Sequence, residues 1–270
     1  AAYDDLGTSL LGVMVEDDAA TVVSLFETEE YKEAASILRD WYEKGYIDED
    51  VMIREDDPSS DDTVFSYFLA GNRSRTSGNV ELAGEPLISV KLAEGYVSTG
   101  TMTIMTMAIP VSATEPEAAA RLLNLCYTDK ELKMLASYGL KGENYTYDNK
   151  GGLVVNTDSG YAVNTVGIFG NVLQCDQTAS DMALGYNPSD IDLSGLKYSP
   201  LLGFLVNTDP ITNEAAQLSS VFSEYQALIA CGLADENTYN EFIDKLYAGG
   251  MEKYMSEIQK QLDEWLDQKN

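Results

Sequence analysis

Residues Tyr31–Asp48 read YKEAASILRDWYEKGYID and predict an amphipathic helix that ends at a glycine. Apolar side chains recur at helical spacing, and Gly45 follows as a stop signal. The predicted buried face consists of Tyr31, Ala34, Ala35, Leu38, Trp41 and Tyr42. Upstream, Leu10–Val15 (LLGVMV) predicts a short buried strand. The N-terminal part of the chain therefore mixes strand and helix.

A second mixed stretch follows in the middle of the chain. Val97–Val111 alternates loosely and is rich in Thr, Met and Ile, which predicts a strand that crosses a core. Thr114, Pro116 and Glu117 then predict a helix start, with the Thr side chain and Glu117 forming a capping box and Pro in the first turn. The strand near Ser98–Gly100 is a candidate hinge or cleft edge.

The remainder divides into a loop-rich part and a helical part. Lys141–Gly152 predicts two short strands around an Asn/Gly-rich turn, and Val154–Pro200 predicts a largely irregular segment. After Asp209-Pro210, helical periodicity predicts three helices that continue to the end of the chain. This order predicts an α/β body with a helical C-terminal region.

Composition removes several functional classes. The 270 residues contain 17 Lys and Arg against 45 Asp and Glu, and the formal charge of −28 disfavours nucleic acids and anionic membranes. Histidine is absent, so a Ser-His-Asp triad, a Cys-His pair and a His-ligated zinc site cannot be built. No apolar run approaches the length of a membrane span. Cys126 and Cys231 fall on apolar helical faces, which favours buried free thiols over a disulfide. No cofactor is predicted.

Other sequence patterns that could indicate a metal site or a catalytic site are better explained as ordinary turns and loops. Asp190–Leu201 begins like a calcium loop, but its twelfth position is Leu201 where a bidentate Glu is needed, so a polar turn is the better interpretation. The acidic stretch Asp56–Asp62 is interpreted as a solvated loop. No pair of carboxylates stands out for glycoside hydrolysis.

The seventeen tyrosines point to a different kind of site. Many lie outside the helical stripes, Tyr198 among them, and sugar rings stack on aromatic side chains while polar side chains bond the hydroxyl groups. For each aromatic residue taken singly, ordinary packing or surface exposure explains its presence at least as well as sugar binding does. The candidate ligand-binding residues are Tyr96, Thr99, Tyr161, Asn164, Phe169, Asn171, Tyr186 and Asn187.

Several stretches resemble one protein family. Tyr31–Asp48, Met107–Asp129 (MAIPVSATEPEAAARLLNLCYTD) and Gly139–Tyr147 (GLKGENYTY) are similar to segments of the extracellular solute-binding proteins of bacterial ABC importers. At Asn144 the family often has His. Phe204–Glu214 (FLVNTDPITNE) and Glu257–Trp265 (EIQKQLDEW) resemble the uncharacterised C-terminal domain of lipoprotein members from Firmicutes and their relatives.

The resemblance implies a periplasmic-binding-protein-like (type II) fold of two α/β lobes that close on a ligand. Complete members are nearly twice as long and carry a leader and a lipid-anchor cysteine. The chain is therefore expected to be incomplete at its N-terminus. The predicted segments are an α/β lobe segment (1–98), a crossing strand and helices of the other lobe (99–145), a loop-rich ligand-facing segment (146–200) and a helical C-terminal domain (201–270).

The function implied by the resemblance is capture of a mono- or oligosaccharide outside the cell for an ABC permease. The protein is then a lipid-anchored surface protein, a monomer and not an enzyme, and its partners are the sugar and the permease subunits. Two alternatives stay open, a secreted glycoside-active enzyme and a peptide-binding or adhesion module. The absence of His and of an acid–base motif weighs against the enzyme.

Overall fold

The computed structural model describes residues 3–15, 17, 19–53, 81–82, 85–86, 95–103, 106–161, 170–183, 187–190 and 194–269. The helices are α1 (Glu29–Glu43), α2 (Thr99–Thr103), α3 (Pro116–Thr128), α4 (Lys130–Tyr138), α5 (Ala179–Ala183), α6 (Thr212–Ala230), α7 (Glu236–Ala248) and α8 (Met251–Lys269). The strands are β1 (Tyr3–Asp4), β2 (Leu11–Met14), β3 (Val22–Ser24), β4 (Glu81–Leu82), β5 (Glu85–Pro86), β6 (Tyr96–Val97), β7 (Tyr145–Tyr147), β8 (Leu153–Val155) and β9 (Lys197–Tyr198). The predicted α/β class with a helical C-terminal region is confirmed.

The chain forms two compact units. The first contains Ala1–Asp56, Tyr96–Ile104 and Lys197–Asn270, and the second contains Asp57–Gly95 and Met105–Leu196. Each unit is thus assembled from separate stretches of sequence.

The first unit is built around an antiparallel sheet with the order β1-β2-β3. Strand β2 confirms the predicted strand at Leu10–Val15 and pairs Leu11 with Ser24 and Val13 with Val22. Leu11 is fully buried and Val13 is nearly so. A Cβ atom at Gly12 would lie 2.7 Å from Leu25 Cδ2 and 3.2 Å from the Asp4 carbonyl oxygen, so any larger residue here would force its neighbours to shift.

Helices α6, α7 and α8 share one core with this sheet. Phe26, at the end of β3, has its ring 4.9 Å from that of Phe242 on α7 and 5.4 Å from that of Phe222 on α6. Tyr239 donates a hydrogen bond to the Phe26 carbonyl oxygen at 2.6 Å, and Gln259 accepts one from the Val22 amide at 2.7 Å. The C-terminal helices thus pack against the N-terminal sheet.

Helix α1 begins where Thr28 accepts a hydrogen bond from the Tyr31 amide and is followed by Gly45, whose φ is +71°. The single predicted apolar face is wrong. Tyr31 and Ala35 pack against the core, whereas Ala34 is exposed and Trp41 is 44% exposed. At about 100° per residue, positions 34 and 41 lie roughly a quarter turn away from the stripe that starts at Tyr31.

The predicted strand over Val97–Val111 is also wrong beyond its first residues. Of the residues that the structure describes in this stretch, 97–103 and 106–111, only Val97 lies in a strand, β6, which runs parallel to β9 and is followed by α2. Ser98 accepts a hydrogen bond from the Thr101 amide through its hydroxyl, and the Thr101 hydroxyl accepts one from the Ser98 amide. Such local side-chain bonds to the backbone compete with strand pairing.

In the second unit, α3 has Pro at its first position, as predicted, but the capping box is wrong. The N-cap residue is Glu115 and makes no side-chain bond, so Thr114 lies one position outside the helix. Helix α4 is capped by Asp129, which accepts from the Leu132 amide at 2.9 Å. The predicted strand pair at Lys141–Gly152 is confirmed as the antiparallel hairpin β7–β8, with somewhat later bounds.

All three cysteines are free thiols. Cys126 is buried on α3, which confirms the prediction, and Cys231 is half-buried just after α6. No helix among the described residues is long and apolar enough to cross a membrane.

Candidate functional site

A buried polar cluster lies in the first unit, where β1, β6 and the residues after β9 come together. Asp4 is 2% exposed, and Ser199 donates a hydrogen bond to its Oδ2 atom at 2.5 Å. The Leu6 amide donates to Asp4 Oδ1 at 3.0 Å, and the Leu201 amide donates to Ser199 Oγ at 3.0 Å. The Asp4 carboxylate therefore accepts one hydrogen bond from Ser199, which is 195 residues away in sequence, and one from the nearby Leu6 amide.

Thr99 belongs to the same cluster. It is buried, and its hydroxyl oxygen accepts a hydrogen bond from the Gly203 amide at 2.8 Å. The same hydroxyl lies 3.5 Å from the Leu201 carbonyl oxygen. The predicted ligand contact thus has its hydrogen-bonding groups engaged within the first unit.

Tyr96 places its hydroxyl group near this cluster. Its hydroxyl oxygen is buried and has no hydrogen-bond partner among the described residues. Burial raises the pKa of Tyr96, the negative charge of Asp4 raises it further, and the nearby Ser199 hydroxyl offsets part of the rise. The phenol is therefore protonated at neutral pH.

Two exposed side chains neighbour this cluster in sequence. Tyr198 precedes Ser199 and is 59% exposed, and Asp5 follows Asp4 and is exposed. A Cβ atom at Gly100 would lie 2.9 Å from Asp5 Oδ1, so a larger residue there would require the Asp5 side chain to move. A carboxylate and an open aromatic ring are the groups that bond hydroxyls and stack on apolar ring faces. We name Asp5, Tyr96 and Tyr198 the β1–β9 site.

Sequence reasoning did not select Asp5 or Tyr198. In the sequence, Tyr198 stands out only as a tyrosine outside the helical stripes. A two-residue strand is too short for the sequence to indicate whether this side chain is exposed. Asp5 was one of 45 acidic residues without distinguishing spacing.

Tyr161 lies in the second unit, on a groove with a cavity volume of about 520 Å³. Its hydroxyl donates to the Leu135 and Ala136 carbonyl oxygens, each at 3.1 Å, which holds the ring beside the end of α4. Leu135 and Leu140 are about half exposed. The groove is lined by Leu132, Leu135, Ala136, Gly139, Leu140, Glu143, Asn144, Ser159, Gly160 and Tyr161.

The two described asparagines among the candidates cap turns. Asn171 accepts a hydrogen bond from the Leu173 amide at 3.0 Å, and Asn187 accepts one from the Ser189 amide at 3.1 Å. Both lie in the second unit with Tyr161, whereas Tyr96 and Thr99 lie in the first. Asn164, Phe169 and Tyr186 lie outside the described residues. The described part of the chain contains no group of three or more Cys, Asp or Glu that could hold a metal ion.

Substitution Ser199→Ala is expected to destabilise the first unit by about 1–3 kcal/mol, because it leaves a buried carboxylate oxygen and the Leu201 amide without their shared hydroxyl. Urea unfolding followed by circular dichroism measures this. Ser189→Ala is the matched control, since Ser189 is exposed. Equal free energies of unfolding for the two variants would contradict the assigned role of Ser199.

Comparison with known proteins gives the following matches. A family model described as a domain of unknown function (DUF3502) matches residues 200–267. A carbohydrate ABC transporter substrate-binding protein of Streptococcus pneumoniae serotype 4 is 28% identical, and the match covers 94% of this chain and 54% of that protein. The chain thus spans about half the length of the curated relative that it matches.

Solved structures of a second solute-binding protein also match the chain over nearly its whole length. The crystal structure of the N-glycan transport solute binding protein NgtS from S. pneumoniae superposes with a TM-score of 0.70 at 22% identity, over 97% of this chain and 59% of NgtS. NgtS in complex with Man5GlcNAc gives a TM-score of 0.70, also at 22% identity, over 99% of this chain and 61% of NgtS. This chain is therefore similar to a carbohydrate ABC transporter substrate-binding protein, shares the fold of NgtS over nearly its whole length, and matches the domain of unknown function over residues 200–267.

Proposed function

We propose that this chain belongs to a solute-binding protein that captures a carbohydrate for an ABC importer. One observation carries the proposal: nearly the whole chain shares its fold with NgtS, whose structures include complexes with Man1GlcNAc and Man5GlcNAc. The proposed ligands are oligosaccharides of this kind. The relative named as a carbohydrate transporter component supports the same class.

The proposed mechanism is binding without bond cleavage. In the whole protein, ligand would shift two lobes from an open to a closed arrangement, the hinge motion that the resemblance implies. The net charge of −28 is compatible with an uncharged ligand and unfavourable for a polyanionic one. The protein would act at the cell surface as a lipid-anchored monomer that delivers the sugar to permease subunits.

The competing function is glycoside hydrolysis by a secreted enzyme. The chain has no His, and the buried carboxylate of Asp4 is engaged by the Ser199 hydroxyl and the Leu6 amide. Incubation with a panel of polysaccharides should therefore release no reducing sugar. Catalytic release at a rate above the background would favour the enzyme.

The primary experiment is a thermal-shift screen with mono- and oligosaccharides on this chain and on the polypeptide encoded by the complete gene. A ligand that binds only the native state raises Tm by mass action. A shift in either protein with a mannose- or N-acetylglucosamine-containing oligosaccharide supports the proposal. Two outcomes would reject carbohydrate as the ligand: a rise in Tm with peptides but not with sugars, or no rise in Tm with any ligand in either protein.

Within this function, the β1–β9 site is the proposed contact in the first unit and Tyr161 the proposed contact in the second. Tyr198→Ala should weaken sugar binding about tenfold, since it removes an open stacking surface. Isothermal titration with the best ligand of the screen measures the change. Tyr127→Ala is the control, because Tyr127 is 52% exposed on α3. Unchanged affinity in Tyr198→Ala would reject the site while leaving carbohydrate binding in place.

A further inference from the structure

The stretch between strand β9 and helix α6 leads directly away from the exposed aromatic residue of the β1–β9 site. Residues 199–207 follow Tyr198 in sequence, and we name them the connecting segment. The structure describes all of these residues and assigns them no helix or strand. The Phe204 amide donates a hydrogen bond to the Leu201 carbonyl oxygen at 2.9 Å, which forms a turn. The path of the segment therefore depends mainly on the contacts that neighbouring elements make with it.

Strand β6 and helix α2 hold the first part of the connecting segment. The Ser199 amide donates to the Val97 carbonyl oxygen at 2.8 Å, and the Gly203 amide donates to the Thr99 hydroxyl oxygen at 2.8 Å. All four residues belong to the first unit. These two bonds fix the backbone close to Tyr198, but they reach no residue of the segment beyond Gly203.

Helix α8 provides a second set of contacts with the connecting segment. The Gln261 carboxamide accepts a hydrogen bond from the Asn207 amide and donates one to the Asn207 carbonyl oxygen, each at 2.9 Å. The ring centroid of Trp265 lies 5.8 Å from that of Phe204. A Cβ atom at Gly203 would lie 3.8 Å from Trp265 Cζ2, so the indole is also in reach of the turn itself.

Lys269 completes this set near the end of α8. Its ammonium group donates to the Pro200 carbonyl oxygen at 3.0 Å and lies 4.6 Å from the centroid of the Trp265 ring. Positions 261, 265 and 269 are four residues apart, so their side chains lie along one side of the helix. Taken in that order they contact Asn207, Phe204 and Pro200. The connecting segment therefore runs antiparallel to α8 along this side.

The contacts with the segment differ from those that anchor α8. The buried residues of this helix, which form its core stripe, are Met251, Tyr254, Ile258 and Leu262. Gln261 is half-buried and Lys269 is exposed. Because burial of an apolar stripe is what holds an amphipathic helix on its core, the polar contacts of Gln261 and Lys269 act on the segment rather than on the helix.

We propose that Gln261, Trp265 and Lys269 are positioning residues of the β1–β9 site, which hold the connecting segment so that the ring of Tyr198 is ordered before ligand binds. The proposal rests on the proposed function, since Tyr198 is itself a proposed ligand contact. Ordering a contact residue in advance removes part of the entropic cost of binding. The last helix of the domain of unknown function thus acts on the ligand site without touching the ligand.

The first test measures sugar affinity by isothermal titration, in whichever protein the thermal-shift screen shows to bind. Trp265→Ala should weaken binding about fivefold, because the segment loses its aromatic contact. Trp265→Phe keeps an aromatic ring against Phe204 and should restore the affinity to within about twofold of the unmodified protein. Gln261→Ala, which removes a half-buried side chain and leaves the core stripe intact, should weaken binding about two- to threefold.

Tyr239→Phe is the control for a general loss of stability. It removes the hydrogen bond from Tyr239 to the Phe26 carbonyl oxygen, in the same core but on α7. This variant should lower Tm and leave the sugar affinity unchanged. A loss of affinity in Tyr239→Phe as large as that in Trp265→Ala would show that the affinity follows stability alone, and would overturn the positioning role.

Amide hydrogen exchange, followed by mass spectrometry, gives a readout that needs no ligand. In Trp265→Ala and Gln261→Ala, peptides from the connecting segment should exchange faster, while β2 should exchange as in the unmodified protein. Unchanged exchange of the segment would overturn the proposal, as would faster exchange with unchanged affinity. Failure of the unmodified protein to bind any sugar is distinct, because it is seen without any variant; it would reject the proposed function, and the positioning role with it.

Discussion

Truncation of the chain before Thr212 is expected to unfold the first unit. The deletion removes α6, α7 and α8, which carry nine of the nineteen buried residues that form the described core of this unit. Full burial of a large apolar side chain contributes about 1.5–3 kcal/mol, so the loss exceeds the roughly 5–15 kcal/mol by which a domain is stable. Circular dichroism should show loss of helix beyond the deleted residues, because α1 loses its packing surface as well.

The second unit provides an internal control for the truncation. Its core of Met134, Tyr145 and Leu153 contains no residue from the deleted part. Amide hydrogen exchange measured by mass spectrometry should therefore show that β2 and α1 lose protection while α4 retains it. Protection of β2 at the level of the intact chain would show that the C-terminal helices are dispensable for the core, contrary to the packing around Phe26.

Gly232→Ala is expected to cost about 2–5 kcal/mol of the free energy of unfolding, because a methyl group there meets two separate penalties. Gly232 follows α6 with a φ of +73°, where an L-residue pays about 1–2 kcal/mol. A Cβ atom at this position would also overlap the carbonyl group of Leu38 and lie 3.0 Å from Tyr42 Cβ. Because backbone cannot move aside as a flexible side chain can, overpacking adds about 1–3 kcal/mol. Urea unfolding gives the free energy directly.

Gly45→Ala separates the two causes of this cost. Gly45 has a φ of +71° at the end of α1, and nothing lies within 4 Å of the position that a Cβ atom would take. Its substitution should therefore cost only the conformational part, about 1–2 kcal/mol. If the two glycine variants lose the same stability, the close approach of α1 to the end of α6 contributes nothing.

The packing also assigns a physical role to the domain of unknown function. Its matched residues 200–267 include Phe204, Leu218, Phe242 and Leu262, all of which lie in the core that also holds Leu11 and Phe26 of the N-terminal stretch. The domain is therefore not a separate module on the surface of the first unit. It supplies twelve of the nineteen buried residues in the described core that it shares with the sheet β1-β2-β3.

Local chemistry explains which elements sequence reasoning could predict. The strand at Leu11–Met14, the helix that follows Thr28 and the three C-terminal helices depend on periodic apolar residues and on caps within a few positions, and all are present. The predicted capping box at Thr114 is wrong because the helix begins one residue later, with Glu115 as its N-cap. Val97–Val111 failed because the hydroxyls of Ser98 and Thr101 bond the backbone locally, an option that β propensity does not register.

For the candidate site, sequence reasoning selected residue types but could not place them. Tyr161 lines a groove, whereas Thr99 has its hydroxyl engaged by the Gly203 amide. Asp5 and Tyr198 were not selected, because 45 acidic residues and seventeen tyrosines give no ranking without exposure. Their roles in ligand binding stay predictions until the affinity measurements are made.

The sequence by itself determined the class of the fold, the absence of histidine chemistry, the charge and the similarity to solute-binding proteins, since these depend on composition and on spacing between near neighbours. Only the tertiary structure decided that Ser199 satisfies Asp4, that Gly232 touches α1, and that Trp41 lies at the surface rather than in the core. These facts join residues up to 195 positions apart. Such contacts depend on how complete elements pack, and no local pattern encodes which face of a helix finds a partner.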